Sequence, residues 1–335
     1  MGKGYLLGID IGNTKLAFGL VGCNERRFHE KRVVPTEREL GAEQAIEKVL
    51  DNTRELLATA PGEVAGIGIA FGGFVDATRR IGLSSPNFPG LDNVPMAALI
   101  EDLAPGIPVL MENDANAAGV GEVVYGKGRG HRQVLYLTIS TGIGGAAIFD
   151  GVPLAGTQGL AAEFGHMIVA PNGPGCTCGS RGCLESLVSG TSIGRIARER
   201  AELHDTMMTG LAGGIDNITA KTVSIAARQG DGLAREILEE VALNLGIGLA
   251  NIIAAFDPDI VILGGGVMNS ADLLLPPAIE FVKGHLTPRG VKVPPIEASS
   301  VHDDIALWGA IALAGKAAVN HSSSCCLVDL VGVGR

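Results

Sequence analysis

Positive charge is in short supply: 26 Lys and Arg stand against 36 Asp and Glu, for a net charge of -10. A general surface for nucleic acid or anionic lipid is therefore not expected, since its field would repel both, although a local basic pocket could still hold phosphates. A secretory leader is not expected either. Residues 1–10 run straight into an apolar strand pattern, with no charged start, long apolar core or small-residue cleavage site, which suggests a cytoplasmic location. Cysteine is scarce, at six in 335 residues, and Cys23, Cys325 and Cys326 show no spacing that would build a disulfide framework. Two common phosphate-binding patterns are missing. The P-loop order is absent, and the Rossmann fingerprint fails because a strand rather than a helix follows the glycines. The uncharged run 241–256 is modest in length and carries Asn244, Asn251 and two glycines, so it reads as a buried helix and not a membrane span.

What is present is a 46% hydrophobic chain long enough to bury a large core, with a size that favours two domains. Two internal echoes support that. Gly8-Ile9-Asp10-Ile11-Gly12-Asn13-Thr14-Lys15 and Thr138-Ile139-Ser140-Thr141-Gly142-Ile143-Gly144-Gly145 each read as strand, glycine turn and second strand. Later in each half a short apolar strand runs into glycines, at 66–73 and 260–266. Helical patterns at 39–60, 191–203, 222–229 and 232–256 suit helices that cover mixed sheets. The expected fold is thus α/β in two similar halves, with a nucleotide between them.

Paired glycine hairpins make a phosphate clamp, because glycine lets backbone N–H groups approach phosphate oxygens. The candidates are Gly12, Asn13, Thr14 and Lys15 in the first turn, and Thr141, Gly142 and Gly144 in the second. Asp10 suits Mg²⁺, directly or through water, and Lys15 could neutralise charge near a transferred phosphate. Gly264, Gly265 and Gly266, where a strand ends and a helix begins, suit adenosine. The reacting group is sought at Glu112-Asn113-Asp114-Ala115-Asn116, where a strand at 108–111 meets a helix starting near 115. In phosphoryl transfer to an alcohol, Asp114 can accept the hydroxyl proton while Asn113 positions a neighbouring hydroxyl. The simpler alternative is that either residue merely caps the helix.

One loop carries a metal-ligand set. His166, Cys176, Cys178 and Cys183 lie within about twenty residues, bracketed by Glu163 and Glu185 and interspersed with Pro171, Pro174 and five glycines. Three thiols and one imidazole would fill the four positions of a closed zinc site, structural rather than catalytic. A metal-bound imidazole has a fixed orientation, so its free N–H is a preorganised donor for a sugar hydroxyl.

Together these segments resemble the ROK family of sugar kinases, within the actin and hexokinase superfamily, over residues 6 to about 319. Its most specific parts are Glu163-Phe164-Gly165-His166 and the run from Cys176 through Cys178 and Cys183 to Glu185. The resemblance implies actin/hexokinase-like (ribonuclease H-like) duplicated α/β domains around a cleft, ATP and Mg²⁺, a structural Zn²⁺, and a homodimer or homotetramer. It implies Asp114 as catalytic base, Asn113, Glu163, His166 and Glu185 on sugar hydroxyls, and Gly73 and Asn87 lining the sugar pocket. His166 would hold zinc with one ring nitrogen and the sugar with the other. The boundaries it suggests are a small domain of 1–112 plus about 304–320, a large domain of 113–303 with the zinc loop, and a poorly ordered tail of 321–335. Asn13 and Ala146 depart from glycines common in the family, which should alter affinity more than chemistry. The start of the first hairpin near residue 8 leaves no room for the helix-turn-helix of the family's repressors. Glucose, phosphorylated on its 6-hydroxyl, is the leading substrate and N-acetylmannosamine the nearest rival. ATP is favoured over polyphosphate by the acidic composition, and a non-catalytic sugar sensor is the remaining alternative.

Overall fold

The computed structural model describes residues 4–85, 88, 90–301 and 304–321. Asn87 lies outside these described residues, as does the expected tail beyond His321, where the last helix ends. The chain divides into two compact units: Met1–Val134 with Ala146–Ala162 and Ser300–Arg335, and Leu135–Gly145 with Glu163–Ser299.

The first unit is built on strands β1 (Tyr5–Ile11), β2 (Lys15–Gly22), β3 (Glu30–Pro35), β4 (Val64–Phe71) and, after the small hairpin β5 (Phe74–Val75) and β6 (Gly82–Ser84), β7 (Val109–Asn113). The sheet order is β3-β2-β1-β4-β7, with β1 antiparallel to β2 and parallel to β4. Period-two alternation sends Leu7, Ile9 and Ile11 into a core with Val49 and Leu56 of α1 (Ala42–Thr59) and Met96 and Ile100 of α2 (Met96–Leu103). Asp10 therefore shares the opposite face with Leu6 and Gly8. The helix expected from residue 39 begins only at Ala42, because Arg38–Leu40 forms a 3-10 turn and Gly41 breaks it at φ 95°.

The opposite face is covered by α10 (Ile305–His321), which also packs on α3 (Asp114–Tyr125). The approach is close enough to require glycine in the sheet. A Cβ on Gly66 would lie 2.2 Å from the Ala314 carbonyl oxygen, and one on Gly68 only 1.9 Å from that of Ala310.

The second sheet runs β10-β9-β8-β11-β12, from β8 (Gln133–Ile139), β9 (Ile143–Phe149), β10 (Val152–Pro153), β11 (Ile260–Gly264) and β12 (Ile296–Ala298). Its accompanying helices are α4 (Leu184–Val188), α5 (Gly190–Ala201), α6 (Met207–Ala212), α7 (Ala220–Arg228), α8 (Gly232–Phe256) and α9 (Ala271–Leu286). Capping sets two starts earlier than periodicity suggests: Ser189 accepts from the Ser192 N–H ahead of α5, and Thr219 and Thr222 form a capping box ahead of α7. Helix α8 spans the expected residues, with Asp231 accepting from the Ala234 N–H. By length and composition it could cross a membrane, but it packs against α4, α7 and α9 and buries Val241, Leu245, Leu249 and Ile253.

Candidate active site

In the first unit the turn between β1 and β2 holds Gly12, Asn13 and Thr14, and the Gly12 N–H donates to the Lys15 carbonyl at 3.1 Å. A residue the sequence did not flag anchors this turn. Buried Thr36 donates its hydroxyl to the Gly12 carbonyl at 2.7 Å and its N–H to that of Thr14 at 3.1 Å. No local pattern marks it, since its partners lie over twenty positions away in sequence.

Two carboxylates sit near this turn. Burial, then the charge of Asp114, pushes the Asp10 carboxyl up to about 7, against the pull of Lys15. Burial likewise lifts Asp114 to about 6, opposed by hydrogen bonds to its Oδ1 from the Ala115 N–H (2.8 Å) and Asn113 Nδ2 (3.0 Å). A pair whose negative charges both resist ionisation is a site that a cation would stabilise. A divalent metal beside Asp10 thus fits the donor chemistry.

Asn113 proves to be the helix cap. Its Oδ1 accepts from the N–H groups of Ala115 (2.9 Å) and Asn116 (3.1 Å), while Nδ2 donates to the Gly73 carbonyl (3.0 Å) and to Asp114. All four of its hydrogen-bonding positions are engaged. The same residue thereby locks Asp114 in place and draws Gly73 to it. A Cβ on Gly73 would meet the Ser84 carbonyl oxygen at 2.3 Å, so this close passage of the chain needs glycine.

In the second unit the β8–β9 turn exposes Ser140 and Thr141, followed by Gly142 and, inside β9, Gly144. This hairpin is tied to the cysteine-rich loop. The Ile143 N–H donates to Glu185 Oε2 at 2.8 Å, and a Cβ on Gly142 would lie 2.6 Å from that oxygen. Glu185 therefore supports the hairpin, a role its sequence position did not suggest. Gly264 and Gly265 owe their identity to packing on β8. Their Cβ atoms would come within 2.3 Å of the Tyr136 hydroxyl and 2.4 Å of the Ile139 carbonyl oxygen, whereas the space at Gly266 is open.

The ligand atoms of His166, Cys176, Cys178 and Cys183 all lie within 4.8 Å of one another. The Cys178 and Cys183 sulfurs are 3.7 Å apart, as are Cys176 Sγ and His166 Nδ1. With Zn–S near 2.3 Å and Zn–N near 2.0 Å, the edges of a tetrahedral site measure about 3.5–3.8 Å, so the donor set fits that ion. Burial and the two neighbouring thiols push Cys183 up to about 12, so this thiol resists ionising until a cation takes the place of its proton, whereas hydrogen bonds, first from the Ser180 N–H, hold Cys178 below its ordinary value. With Nδ1 turned to the cysteines, His166 Nε2 faces Glu163 Oε2 at 3.9 Å. The loop closes tightly: Gly182 has φ 67°, and a Cβ there would overlap the Ala170 carbonyl oxygen at 1.5 Å.

The sequence expectations for the first unit thus meet around Asp10, Gly12–Lys15, Gly73, Asn113 and Asp114. Those for the second meet around the β8–β9 turn, Glu163, Glu185 and the Cys/His cluster, with Gly264–Gly266 at the end of β11.

Known proteins resemble this chain over most of its length. A glucokinase of Thermotoga maritima is 38% identical to the chain over 317 residues, covering 93% of this chain and 98% of that one. The ROK family glucokinase of Streptomyces griseus, solved in complex with glucose and AMPPNP, has a TM-score of 0.78 at 36% identity, covering 93% and 99%. An N-acetylmannosamine kinase of Salmonella agona is 32% identical over 308 residues, or 92% and 97%. The two-unit α/β architecture is that of the actin/hexokinase-like fold. The ROK profile itself spans residues 6–317, and with relatives this similar over nearly the full chain, the protein belongs to the ROK family.

Proposed function

We propose that the protein is an ATP-dependent glucokinase that phosphorylates the 6-hydroxyl of glucose, with Asp114 as general base. The observation that carries this reading is the half-buried Asp114, whose desolvated carboxyl is held near 6 at a strand-to-helix junction beside Asp10 and the Gly12–Lys15 turn. Such a carboxylate is ionised at neutral pH, yet it is a far better proton acceptor than one at its usual value. Asp114 takes the hydroxyl proton as the oxygen attacks the γ-phosphorus, and ADP leaves. Asn113 can reach a sugar hydroxyl by exchanging its Nδ2 bond to Asp114, which leaves Asp114 Oδ1 bonded to the Ala115 N–H alone, with a lone pair for the reacting proton. Gly12, Asn13, Thr14, Lys15, Thr141, Gly142 and Gly144 hold the phosphates, and Gly264, Gly265 and Gly266 the adenosine. Mg²⁺, held near Asp10, would neutralise the phosphate charge.

Glu163, His166 and Glu185 hold sugar hydroxyls, with Gly73 and Asn87 lining the pocket. Zinc on His166, Cys176, Cys178 and Cys183 is structural, and it fixes the ring whose Nε2 would donate to the sugar. The chain would work in the cytoplasm as a homodimer or homotetramer.

N-acetylmannosamine is the second candidate substrate, because a kinase for that sugar is 32% identical to this chain, but the Thermotoga maritima glucokinase is more similar, at 38%. A coupled assay of ADP release across hexoses and N-acetylhexosamines tests the assignment. Glucose is expected to show the highest kcat/KM, and preference for N-acetylmannosamine would replace the substrate but keep the chemistry. The pH profile tests the base separately. With Mg²⁺ saturating, so that Asp10 stays ionised, kcat/KM for the sugar should be flat above pH 7 and fall about tenfold per pH unit well below 6, as Asp114 becomes protonated. A profile flat down to pH 5 would remove Asp114 from the role.

A further inference from the structure

Directly behind the Asn113–Asp114 junction lies a buried ionic cluster that the reaction scheme does not use. Glu112, the penultimate residue of β7, has a side chain only 5% exposed. Its Oε1 accepts from the Asn113 N–H (3.1 Å) and from Asn116 Nδ2 (3.2 Å), so it supports the cap residue from beneath. Its other oxygen, Oε2, has no aligned hydrogen-bond donor, but the Arg79 guanidinium lies against it, with Nε at 2.9 Å. Burial of a carboxylate this deep demands such a partner. The Lys316 ammonium on α10 adds a second, weaker cation nearby.

Arg79 is held for this contact at a conformational cost. Its φ is 59°, the left-handed region that non-glycine residues seldom adopt. It sits in the turn joining β5 and β6, and Asp76 organises that turn. The Asp76 carboxylate accepts from the N–H groups of Arg80 and Ile81, both at 2.8 Å, and from Thr78. The hairpin closed by this turn runs from Gly73 through β5 and β6 to Ser85. Gly73 is bonded to Asn113, while the Ser85 hydroxyl donates to the Gly72 carbonyl at 2.7 Å. Two ties therefore join the hairpin to the end of β7: Asn113 at its open end and Arg79 at its turn.

We propose that Arg79 is a positioning residue for sugar binding: its ion pair with buried Glu112 fixes the β5–β6 hairpin, and with it Gly73 and Ser85, against the Asn113–Asp114 junction. This rests on the sugar kinase reading above. The turn at Gly12–Lys15 has its own anchor in Thr36 and meets the hairpin at the Ser85 hydroxyl, 3.1 Å from Asn13 Oδ1, so the larger effect should fall on the sugar and a smaller one on the nucleotide.

Arg79→Gly removes the guanidinium while suiting the left-handed backbone, and Lys316 remains to offset Glu112. The sugar KM is expected to rise about tenfold or more while the ATP KM changes by no more than about threefold, with Tm lowered by the unpaired Glu112 but the protein still folded at the assay temperature; Arg79→Lys should recover part of both losses. If glycine at 79 prevents folding, Arg79→Met, which keeps the aliphatic stem, takes the same readout. An unchanged sugar KM in a folded variant overturns the proposal, as does a parallel rise of both KM values, which would mean general loosening. Wild-type protein without turnover on any sugar would instead defeat the kinase reading on which the proposal stands.

Discussion

Asp114→Asn is expected to lower kcat by about 10²–10⁴-fold and, at the same time, to raise Tm at neutral pH. The two effects share one cause. Burial raises the Asp114 carboxyl from its ordinary 3.8 to about 6, so between those pH values the folded chain binds more protons than the unfolded one. Stability contributed by this site therefore declines as pH rises through that window, and above pH 6 the full cost of a buried charge remains, about 3 kcal/mol. An amide oxygen can still accept from the Ala115 N–H and from Asn113 without that charge. It also lifts the repulsion that helps to push Asp10 up to about 7. A net gain of about 1–3 kcal/mol should appear as a rise of several degrees in Tm. The gain should shrink when the melt is repeated near pH 4, where the wild-type carboxyl is protonated in the fold. Turnover within tenfold of wild type would remove Asp114 as the base, and a lower Tm at pH 7 would show that the buried charge is compensated by something else. Native sites commonly trade stability for activity in this way.

Loss of the Cys/His site should have a comparably large effect by another route. Cys178→Ser combined with Cys183→Ser, or prolonged chelation of the wild type, is expected to take zinc from one ion per chain to near zero. The segment 163–183, up to the start of α4, has almost no regular structure apart from a 3-10 turn at Phe164–His166 and isolated bridges such as Ile168 to Cys183, so the metal would supply much of its local order. Its loosening should reach Glu163 and Glu185 and, through the Glu185 bond to the Ile143 N–H, the β8–β9 turn. Sugar KM should therefore rise at least about tenfold, and ATP KM should rise as well, unlike the result expected for Arg79. Amide exchange across 163–185 should become fast while α8 stays protected. A metal-free protein with wild-type kinetics and a protected loop would show that the cluster has no such structural role.

Much of the site was legible in the sequence because its chemistry is local there. His166, Cys176, Cys178 and Cys183 belong to one loop, and three thiols with one imidazole at that spacing have few other uses. The glycine hairpins were readable for a similar reason, as apolar alternation interrupted by Gly12 or Gly142 can continue only as a turn. Helix α8 was read to its ends because Asp231 caps it and Asp257 stops it in the left-handed conformation. Helices α5 and α7 start one and two residues ahead of their apolar periodicity because the hydroxyls of Ser189 and Thr219 cap them, and a cap adds nothing to that periodicity.

The sequence by itself thus determined the class of fold, the Cys/His cluster, the two glycine turns and the Asp114 junction, since each is written in neighbouring residues and follows from turn, strand and ligand chemistry. Only the tertiary structure decided how those groups behave. The proton affinities of Asp10 and Asp114 come from burial and from each other's charge. The anchoring of the first turn comes from Thr36, the support of the second from Glu185, and the tie behind Asp114 from Arg79 and Glu112. Gly66 and Gly68 look like ordinary strand residues until α10 is laid across them at backbone contact distance. Each of these depends on atoms brought within a few ångströms from distant parts of the chain, and desolvation and close packing leave no mark in the spacing of residues along it.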